Sequence, residues 1–347
     1  MPKALVFSRD VGGTRGLIPV VKILQERKFE IKWVAQEDGG GKDILSAQGI
    51  KHCYIKSPQD IKCPDLIVSS ACSGQGVEAV RFFNSAKSVV VQDQRGAGLK
   101  NWSEGSRPSF IFVNDNIDVE ITFNAWRGYK SSQIIISGYP ALDSYADFNT
   151  ARSRNKIYDL FKIDDGKPAV LFAGVWWETG HAISELVESL NALSEDVYLI
   201  PRLHPGMKDE TPEELPLWEE SLAKFRGVLI DTHAPGVDIR DLISVSNLVV
   251  SIFSTVLTEA AILRKPNIAI LYPDRGMKIY RRLTGLNYYP MVSLGCTDIA
   301  CNRIELMEKL QKGISGSLDL SESQGKVFKC DGKNSERIAD FIEDIIQ

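Results

Sequence analysis

The chain has 347 residues and a formal net charge of −4, and 44% of its residues are hydrophobic. This length is enough for two domains of ordinary size, and the small negative charge argues against nucleic acid as the main partner. Since the sequence shows neither a signal peptide nor an apolar run near the roughly 20 residues of a membrane-spanning helix, we expect a cytoplasmic protein.

The cysteines and histidines lack the spacing of a metal site. The six cysteines include no C-x-x-C pair and lie among apolar neighbours, so we expect them to be buried, reduced thiols. The four histidines include no H-x-x-x-H pair. The sequence therefore predicts no bound metal and no cofactor.

Short apolar runs alternate with amphipathic segments along almost the whole chain. The runs predicted to be strands are residues 4–7, 30–35, 52–55, 66–69, 89–92, 110–113, 134–137, 169–173, 197–201, 228–231, 248–252 and 267–271. Helical patterns between them include residues 17–26, 76–84 and 183–193. This alternation is typical of doubly wound parallel sheets.

A polar and charged stretch, residues 141–167, interrupts the alternation and separates two halves of similar length. We therefore predict an α/β protein with two Rossmann-like doubly wound domains that face each other across a cleft. The predicted domains are 1–145, on the acceptor side, and 146–347, which binds the nucleotide donor.

A glycine-rich segment, Ser8-Arg-Asp-Val-Gly-Gly-Thr-Arg-Gly16, follows the first predicted strand and precedes a helix predicted from Leu17. Its glycines allow a ligand to approach the backbone closely, although a simple chain connector explains them equally well. The spacing is not that of the G-x-G-x-x-G dinucleotide fingerprint. Asp10 is a candidate catalytic residue here. The candidate substrate-binding residues are Gly12, Gly13, Thr14 and Arg15.

A second polar loop, residues 92–107, follows the strand predicted at 89–92. Long charged loops at strand ends either bind ligands or form mobile surface. Asp93 is the candidate catalytic residue of this loop.

In the second half, residues 172–181 contain Gly174, a candidate binding residue, and the adjacent Trp176 and Trp177. Adjacent tryptophans can stack on a base or sugar, but more often they divide between core and lid. At the end of the next strand, Arg202 offers a cationic fork for phosphate. His204 is a candidate either to donate a hydrogen bond to phosphate or to act as an acid. The alternative is a loop histidine whose hydrogen bonds are purely structural.

The segment 247–274 reads as a strand, a helix and a second strand, which places the helix N-terminus at the ligand-binding edge of a parallel sheet. Ser254 and Thr255 add hydroxyls to the free N–H groups and the helix dipole, a combination that suits phosphate. Glu259, one turn further, is placed to accept hydrogen bonds from a ribose diol. An ordinary helix cap with a solvated glutamate is the simpler interpretation.

Several of these segments resemble motifs of the GT-B glycosyltransferase superfamily. Thr258-Glu-Ala-Ala-Ile-Leu-Arg-Lys-Pro266 resembles its "E…GKP" donor helix, in which Glu259 takes the place of the glutamate that contacts the nucleotide ribose. Ile136-Ser-Gly-Tyr-Pro-Ala-Leu-Asp143 resembles "TGNPxLD", and Leu199-Ile-Pro-Arg-Leu-His-Pro205 resembles the "HP" loop. Cys330-Asp-Gly-Lys-Asn-Ser-Glu-Arg-Ile338 is similar to the terminal "GDGKASERI" of UDP-N-acetylglucosamine 2-epimerases.

The positions that carry catalytic residues in the compared families differ in this chain. The epimerase "HRRE" segment falls on Val175-Trp-Trp-Glu178, and the glutamate of its "EAGLR" falls on Gly96. The aspartate of its "GDT" falls near Ala71-Cys72. CDP-glycerol glycerophosphotransferases have a loop, "HGTPLK", similar to Arg95-Gly-Ala-Gly-Leu-Lys100, and their catalytic histidine would be Arg95.

The resemblance implies a transferase of polysaccharide biosynthesis that moves a sugar or sugar-like group from a nucleoside diphosphate donor, expected to be UDP-linked. The acceptor would be a sugar, polyol or glycan. A UDP-N-acetylglucosamine 2-epimerase-like enzyme and a non-catalytic nucleotide-sugar binding protein are the alternatives. Peripheral membrane association stays open, and the sequence does not indicate an oligomeric state.

Overall fold

Runs of branched apolar residues form the strands in a computed structural model of the chain, which describes residues 1–93, 95–164, 166–193, 196–204, 206–231, 237–272, 275–328 and 330–346. In chain order the described strands are β1 (Lys3–Ser8), β2 (Glu30–Ala35), β3 (Leu66–Ser70), β4 (Lys87–Val91), β5 (Phe110–Val113), β6 (Ile134–Ile136), β7 (Ala169–Ala173), β8 (Tyr198–Arg202), β9 (Val228–Leu229), β10 (Leu248–Ser251), β11 (Asn267–Ile270) and β12 (Asp298–Ala300). The described α-helices are α1 (Val11–Glu26), α2 (Gly41–Ala47), α3 (Gly74–Phe82), α4 (Asn116–Ala125), α5 (Thr150–Phe161), α6 (Thr179–Leu193), α7 (Met207–Glu210), α8 (Leu215–Ala223), α9 (Ile239–Val245), α10 (Thr255–Ile262), α11 (Arg275–Thr284), α12 (Pro290–Ser293), α13 (Arg303–Ile314), α14 (Ser321–Val327) and α15 (Asn334–Ile346).

The strands form two parallel sheets within the described part of the chain. Their orders are β2-β1-β3-β4-β5-β6 and β12-β11-β10-β7-β8-β9. In both sheets the first strand lies inside the sheet, and later strands are added first on one side of it and then on the other, which is the doubly wound pattern. The predicted α/β architecture of two Rossmann-like parallel sheets is therefore confirmed.

Central strands are buried along their whole length. Every residue of β3 and β7 is buried, as parallel strands with helices on both faces must be. Continuous apolar runs, rather than alternating ones, satisfy that environment. For this reason the strands predicted at 110–113 and 169–173 have the bounds observed for β5 and β7.

The chain divides into two compact units. The first contains Met1–Ala146, Leu283–Gly285 and Cys330–Gln347, and the second contains Asp147–Arg282 and Leu286–Lys329. Residues 330–347, which the sequence places in the C-terminal domain, thus belong to the first unit.

Helix α15 explains this difference from the predicted boundary. Its residues Ile338, Ala339 and Ile342 are completely buried in the hydrophobic core of the first unit, which also contains Leu17 and Val20 of α1. Burial of three apolar side chains at 0% exposure stabilises the contact by several kcal/mol, at about 25 cal/mol per Å² of apolar surface.

Asp143 fixes the start of α15. Its carboxylate accepts hydrogen bonds from Asn334 N at 2.9 Å, Ser335 N at 2.8 Å and Ser335 Oγ at 2.5 Å. A carboxylate is favourable at this position because the N-terminus of a helix has unpaired N–H groups and a positive dipole end. Two motifs nearly 200 residues apart in sequence therefore form one structural contact.

Two local predictions are corrected, and one strand is added. Residues 52–55 form no strand, because Cys53 makes only an isolated bridge to Val34. The flanking Lys51, Lys56 and Pro58 are residues that typically end pairing at a sheet edge. The short strand β12 was not predicted, because three residues carry too little pattern. Helix α1 begins at Val11 rather than at Leu17, so the glycine-rich segment is helical and not a loop.

The cysteines also differ from expectation, because Cys63, Cys301 and Cys330 are exposed. Cys53 and Cys72 are partly buried, and Cys296 alone is fully buried. Among the described helices, none is both long enough and apolar enough to cross a membrane.

Candidate functional site

The reversal of strand order locates a candidate site in each unit, because ligands of open α/β sheets bind beyond the carboxyl ends of the strands at that point. In the first sheet the order reverses between β1 and β3, and in the second between β7 and β10. The predicted residues Asp10, Gly174 and Ser254 lie within three residues of the ends of β1, β7 and β10.

Helix α10 begins at the reversal point of the second sheet. Ser254 is its N-cap and accepts a hydrogen bond from Val256 N at 3.2 Å. Thr255, the first helical residue, is exposed, and Glu259 is half-buried one turn further on. Because Leu257 is completely buried on the other side of the helix, the predicted donor-binding residues lie away from the core.

Helix α6, which follows β7, already has a carboxylate at its N-terminus. Glu214 accepts hydrogen bonds from Glu178 N at 2.9 Å and from Gly180 N at 2.8 Å. Negative charge is stabilised at such an end by the free N–H groups and the helix dipole. Since Glu214 occupies this position, the start of α10 is the stronger candidate for binding phosphate at this edge of the sheet.

Arg202 is the last residue of β8, two strands away from β10. Arg202 and Ser251 both pair with Ala173 of β7, so they lie at the same level of the sheet. Two strand spacings separate their backbones by roughly 10 Å, a distance that an arginine side chain and a diphosphate together can span. The sheet register therefore supports a common role for Arg202 and the start of α10.

Gly174 lies below this surface. Its N–H donates to the carbonyl of Arg202 at 2.9 Å, and the residue is buried. A Cβ at this position would lie 3.2 Å from Thr179 and 3.3 Å from Trp218. A small residue is therefore required at position 174 by the packing of protein side chains, and its size gives no evidence of a bound ligand.

His204 is a neutral hydrogen-bond donor at physiological pH. Burial lowers the pKa of its imidazole to about 4. Its Nδ1 accepts a hydrogen bond from Gly206 N at 3.0 Å, which leaves the ring proton on Nε2. Of the two roles predicted for His204, a neutral ring suits donation of a hydrogen bond to a phosphate oxygen better than it suits an acid.

Trp176 packs edge-on against His204, with ring centroids 5.1 Å apart. Its indole Nε1 is buried and has no hydrogen-bond partner among the described residues. Buried polar groups are normally paired, so this N–H is an exception among the described residues of the site. The neighbouring Trp177 instead lies beneath Arg282, whose guanidinium carbon is 5.7 Å from the ring centroid.

In the first unit, Asp10 is the N-cap of α1. Its Oδ2 accepts a hydrogen bond from Gly13 N at 3.0 Å, and its Oδ1 is buried with no partner among the described residues. A Cβ at Gly12 would lie 2.5 Å from Asp93 Oδ2 and 3.5 Å from Asp10 Oδ2. The two predicted catalytic carboxylates therefore flank Gly12 and lie close to each other.

The glycines of α1 make room for protein groups. A Cβ at Gly13 would lie 2.5 Å from Ser70, and one at Gly16 would lie 2.8 Å from Tyr139. Thr14 is buried, and its hydroxyl donates to the carbonyl of Asp10 at 2.7 Å. Of the four residues predicted to bind substrate in this segment, only Arg15 is exposed.

Sequence reasoning did not identify Ser70 and Cys72, which follow β3 at the reversal point. Burial and the charges of Asp93 and Asp10 raise the pKa of the Cys72 thiol. The hydroxyl of Ser70 is buried without a hydrogen-bond partner among the described residues. Their sequence signals are their place at the end of a buried strand and, for Cys72, its place near the aspartate of the epimerase "GDT" motif.

Arg95 is held by a carboxylate. Its Nε donates to Asp115 Oδ2 at 3.0 Å, and the pair is largely buried. Burial and the charge of Asp115 raise the pKa of the neighbouring Asp118 to about 6. A guanidinium in this pairing is a fixed cation and cannot accept a proton.

Comparison with known proteins assigns the chain to a family. The family model described as CDP-glycerol:poly(glycerophosphate) glycerophosphotransferase matches residues 84–344, which is well over half of the chain. The chain belongs to this family. The glycerophosphotransferase match includes Asp93, Gly174, Arg202, His204, Ser254, Thr255 and Glu259, whereas Asp10 precedes it.

A curated relative is the teichoic acid glycerol-phosphate primase of Bacillus spizizenii, 27% identical over 201 residues. The match covers 55% of this chain and 48% of the primase. The chain thus spans about half the length of that glycerophosphotransferase relative.

Solved structures share the fold. The complex of S. aureus MnaA with UDP has a TM-score of 0.72 at 16% identity, covering 99% of this chain and 96% of that one. The Neisseria meningitidis UDP-GlcNAc 2-epimerase bound to UDP-GlcNAc has a TM-score of 0.71 at 15% identity, covering 99% and 100%. The wall teichoic acid polymerase TagF, as its H444N variant with CDPG, has a TM-score of 0.62 at 16% identity, covering 100% and 90%.

These similarities confirm the predicted GT-B fold. They also confirm the predicted resemblance to UDP-N-acetylglucosamine 2-epimerases and to CDP-glycerol glycerophosphotransferases. Among the described residues, no cluster of His, Cys, Asp or Glu side chains has an arrangement that could hold a metal ion.

Proposed function

We propose that the protein transfers a polyol phosphate, glycerol phosphate in the first instance, from a CDP-linked donor to a hydroxyl group of an acceptor. The acceptor would be a growing anionic polymer of the teichoic acid type or its primer. The family match over residues 84–344 carries this proposal. It replaces the UDP-linked sugar that the sequence alone led us to expect.

The chemistry differs from sugar transfer in the bond that breaks. The acceptor oxygen attacks the phosphorus that carries glycerol and forms a new P–O bond. The bond from that phosphorus to the bridging oxygen breaks, and CMP leaves with its electron pair. In sugar transfer a C–O bond would break instead, and a nucleoside diphosphate would leave.

The second unit supplies the proposed donor contacts. The N–H groups and hydroxyls at the start of α10, with Ser254 and Thr255, suit the two phosphates. Arg202 offers a bidentate fork, and the Nε2–H of His204 offers a neutral donor to a phosphate oxygen. Groups that oppose the charge developing on the leaving CMP lower the barrier most. Glu259 is proposed to bind the ribose.

The first unit supplies the proposed base. Arg95, which stands at the place of the family's loop histidine, is a paired cation and cannot take the acceptor proton. Asp10 is the better candidate, because its Oδ1 is buried and has no partner among the described residues. Asp93 lies beside it and is the second candidate.

The nucleotide released by the protein tests this proposal. CDP-glycerol and UDP-N-acetylglucosamine are each incubated with and without a poly(glycerol phosphate) primer, and products are separated by chromatography. We expect CMP from CDP-glycerol only when the primer is present. UDP release from the sugar nucleotide, with no CMP from CDP-glycerol, would establish sugar transfer instead.

The same reactions in heavy water separate the alternatives. Epimerisation would incorporate deuterium at C2 of the sugar without any acceptor, and we expect none. Binding of CDP-glycerol without turnover under any condition would favour a non-catalytic binding protein.

A conservative variant tests the base. Asp10→Asn is expected to lower kcat/KM by about 10²- to 10⁴-fold while CDP binding is retained. Asparagine caps helices as well as aspartate does, so the start of α1 should persist. Asp43→Asn, which changes an exposed carboxylate of the same unit, is the matched control and should leave the rate unchanged. If Asp10→Asn has full activity, the base lies elsewhere.

A further inference from the structure

Tyr139, which is distant in sequence, forms a hydrogen bond to the first turn of α1. The hydroxyl of Tyr139 donates to the carbonyl of Gly12 at 2.7 Å, across 127 residues of sequence. The tyrosine ring comes so close to α1 that a Cβ at Gly16 would lie 2.8 Å from it. A glycine at position 16 is therefore what admits the ring.

This contact reaches Asp10 through one rigid group. The carbonyl of Gly12 and the N–H of Gly13 belong to the same planar peptide unit, which resists twisting. Tyr139 holds the oxygen end of that plane, while the N–H end donates to Asp10 Oδ2 at 3.0 Å. The orientation of the peptide plane therefore sets the direction of the Asp10 carboxylate.

The position of Tyr139 depends in turn on α15. The side-chain amide of Asn334 donates to the carbonyl of Tyr139 at 3.1 Å. Gly138, at a φ of 79°, passes so close that a Cβ there would lie 2.3 Å from Asn334 Oδ1. The bonds of Asp143 to the N–H groups of Asn334 and Ser335 hold this end of the helix in place. The C-terminal helix, Tyr139 and the N-cap of α1 form one connected series of contacts in the first unit.

We propose that Tyr139 is a positioning residue that orients the Asp10 carboxylate toward the acceptor hydroxyl, and that Asn334 acts through it. The inference rests on the proposed function for the role of Asp10 as the base. A base displaced by about 1 Å from its productive position can cost 10²-fold in rate, so a single hydroxyl group at this distance is sufficient to matter.

Removal of the hydroxyl tests the proposal. Tyr139→Phe is expected to lower kcat about 10- to 100-fold, with the KM for CDP-glycerol and the Kd for CDP changed less than about twofold. Tyr129→Phe is the matched control, because Tyr129 of the same unit donates to the carbonyl of Pro108 at the same 2.7 Å. The control should lose similar thermal stability and keep its kcat. Equal rates of Tyr139→Phe and parent, or equal losses in both variants, would overturn the proposal.

A second measurement does not depend on activity. Hydrogen exchange of the Gly13 amide, followed by NMR, should be about tenfold faster in Tyr139→Phe and unchanged in Tyr129→Phe. Unchanged exchange in Tyr139→Phe would overturn the positioning role. Absence of CMP release by the parent protein would instead refute the proposed function, while the exchange result would still decide whether Tyr139 orients Asp10.

Asn334→Ala tests the order of the contacts. If Asn334 acts through Tyr139, the Asn334→Ala/Tyr139→Phe double variant should be no slower than Tyr139→Phe alone. Additive losses in kcat would show independent effects and overturn the role of Asn334.

Discussion

Protonation of His204 is strongly disfavoured in the folded protein, and this can be tested directly. Burial lowers the pKa of its imidazole from the ordinary value of 6.5 to about 4. At 1.36 kcal/mol for each pKa unit, the folded state disfavours the charged ring by about 3 kcal/mol. At pH 5 about 10% of His204 should be protonated, compared with about 97% of an ordinary histidine.

The effect on stability has a definite sign. The unfolded chain binds this proton more tightly than the folded protein does. The contribution of neutral His204 is therefore fully present above pH 6.5 and is lost progressively as the pH falls toward 4. His204→Gln, which cannot become charged, should lose less stability than the parent over this interval.

Long-range ¹H–¹⁵N correlation spectra of protein labelled on histidine measure both features, and the His204→Gln spectrum assigns the signal. We expect one ring with its proton on Nε2 and no titration between pH 8 and pH 5.5. CDP affinity should show no dependence on this ring in the same interval. A midpoint near 6.5, or a proton on Nδ1, would refute the neutral-donor assignment.

Two further predictions concern local backbone features of the second unit. Glu214→Gln should lower the free energy of unfolding by about 1–3 kcal/mol, because one of the two oxygens that accept from N–H groups at the start of α6 becomes an NH2 group, which cannot accept. The exposed Glu213→Gln is the control in urea unfolding, and equal losses would contradict the capping role. Arg264 has a φ of 57°, so Arg264→Gly should be more stable than Arg264→Ala by about 1 kcal/mol. At Gln311, an exposed residue within a helix, the alanine variant should instead be more stable than the glycine variant. If glycine and alanine variants rank in the same order of stability at both positions, backbone strain at Arg264 is contradicted.

Much of the fold could be predicted because its signals are local. Strands such as β5 and β7 need continuous burial, and continuous apolar runs are visible in four or five residues. Ser254 is recognisable as an N-cap because the hydrogen bond that defines it, from Val256 N to its side chain, joins residues only two positions apart. Strand β12 was missed because it is short and begins with the charged Asp298.

The candidate site could be predicted less well because its determinants are distant in sequence. The segment from Gly12 to Gly16 has the composition of a ligand-binding loop, yet its neighbours are Ser70, Asp93 and Tyr139, which no local pattern reveals. The neutral state of His204 likewise depends on burial by the folded chain. The site residues themselves remain predictions until ligand binding is measured.

The docking of α15 has a consequence for biosynthesis. A ribosome makes residues 1–146 first, but the core of that unit lacks Ile338, Ala339 and Ile342 until nearly 200 more residues have been added. Domains usually fold in the order in which they are translated. Here the N-terminal unit keeps an apolar surface uncovered on the nascent chain while the second unit can already fold. Of the two units, the one that is translated first is therefore completed last.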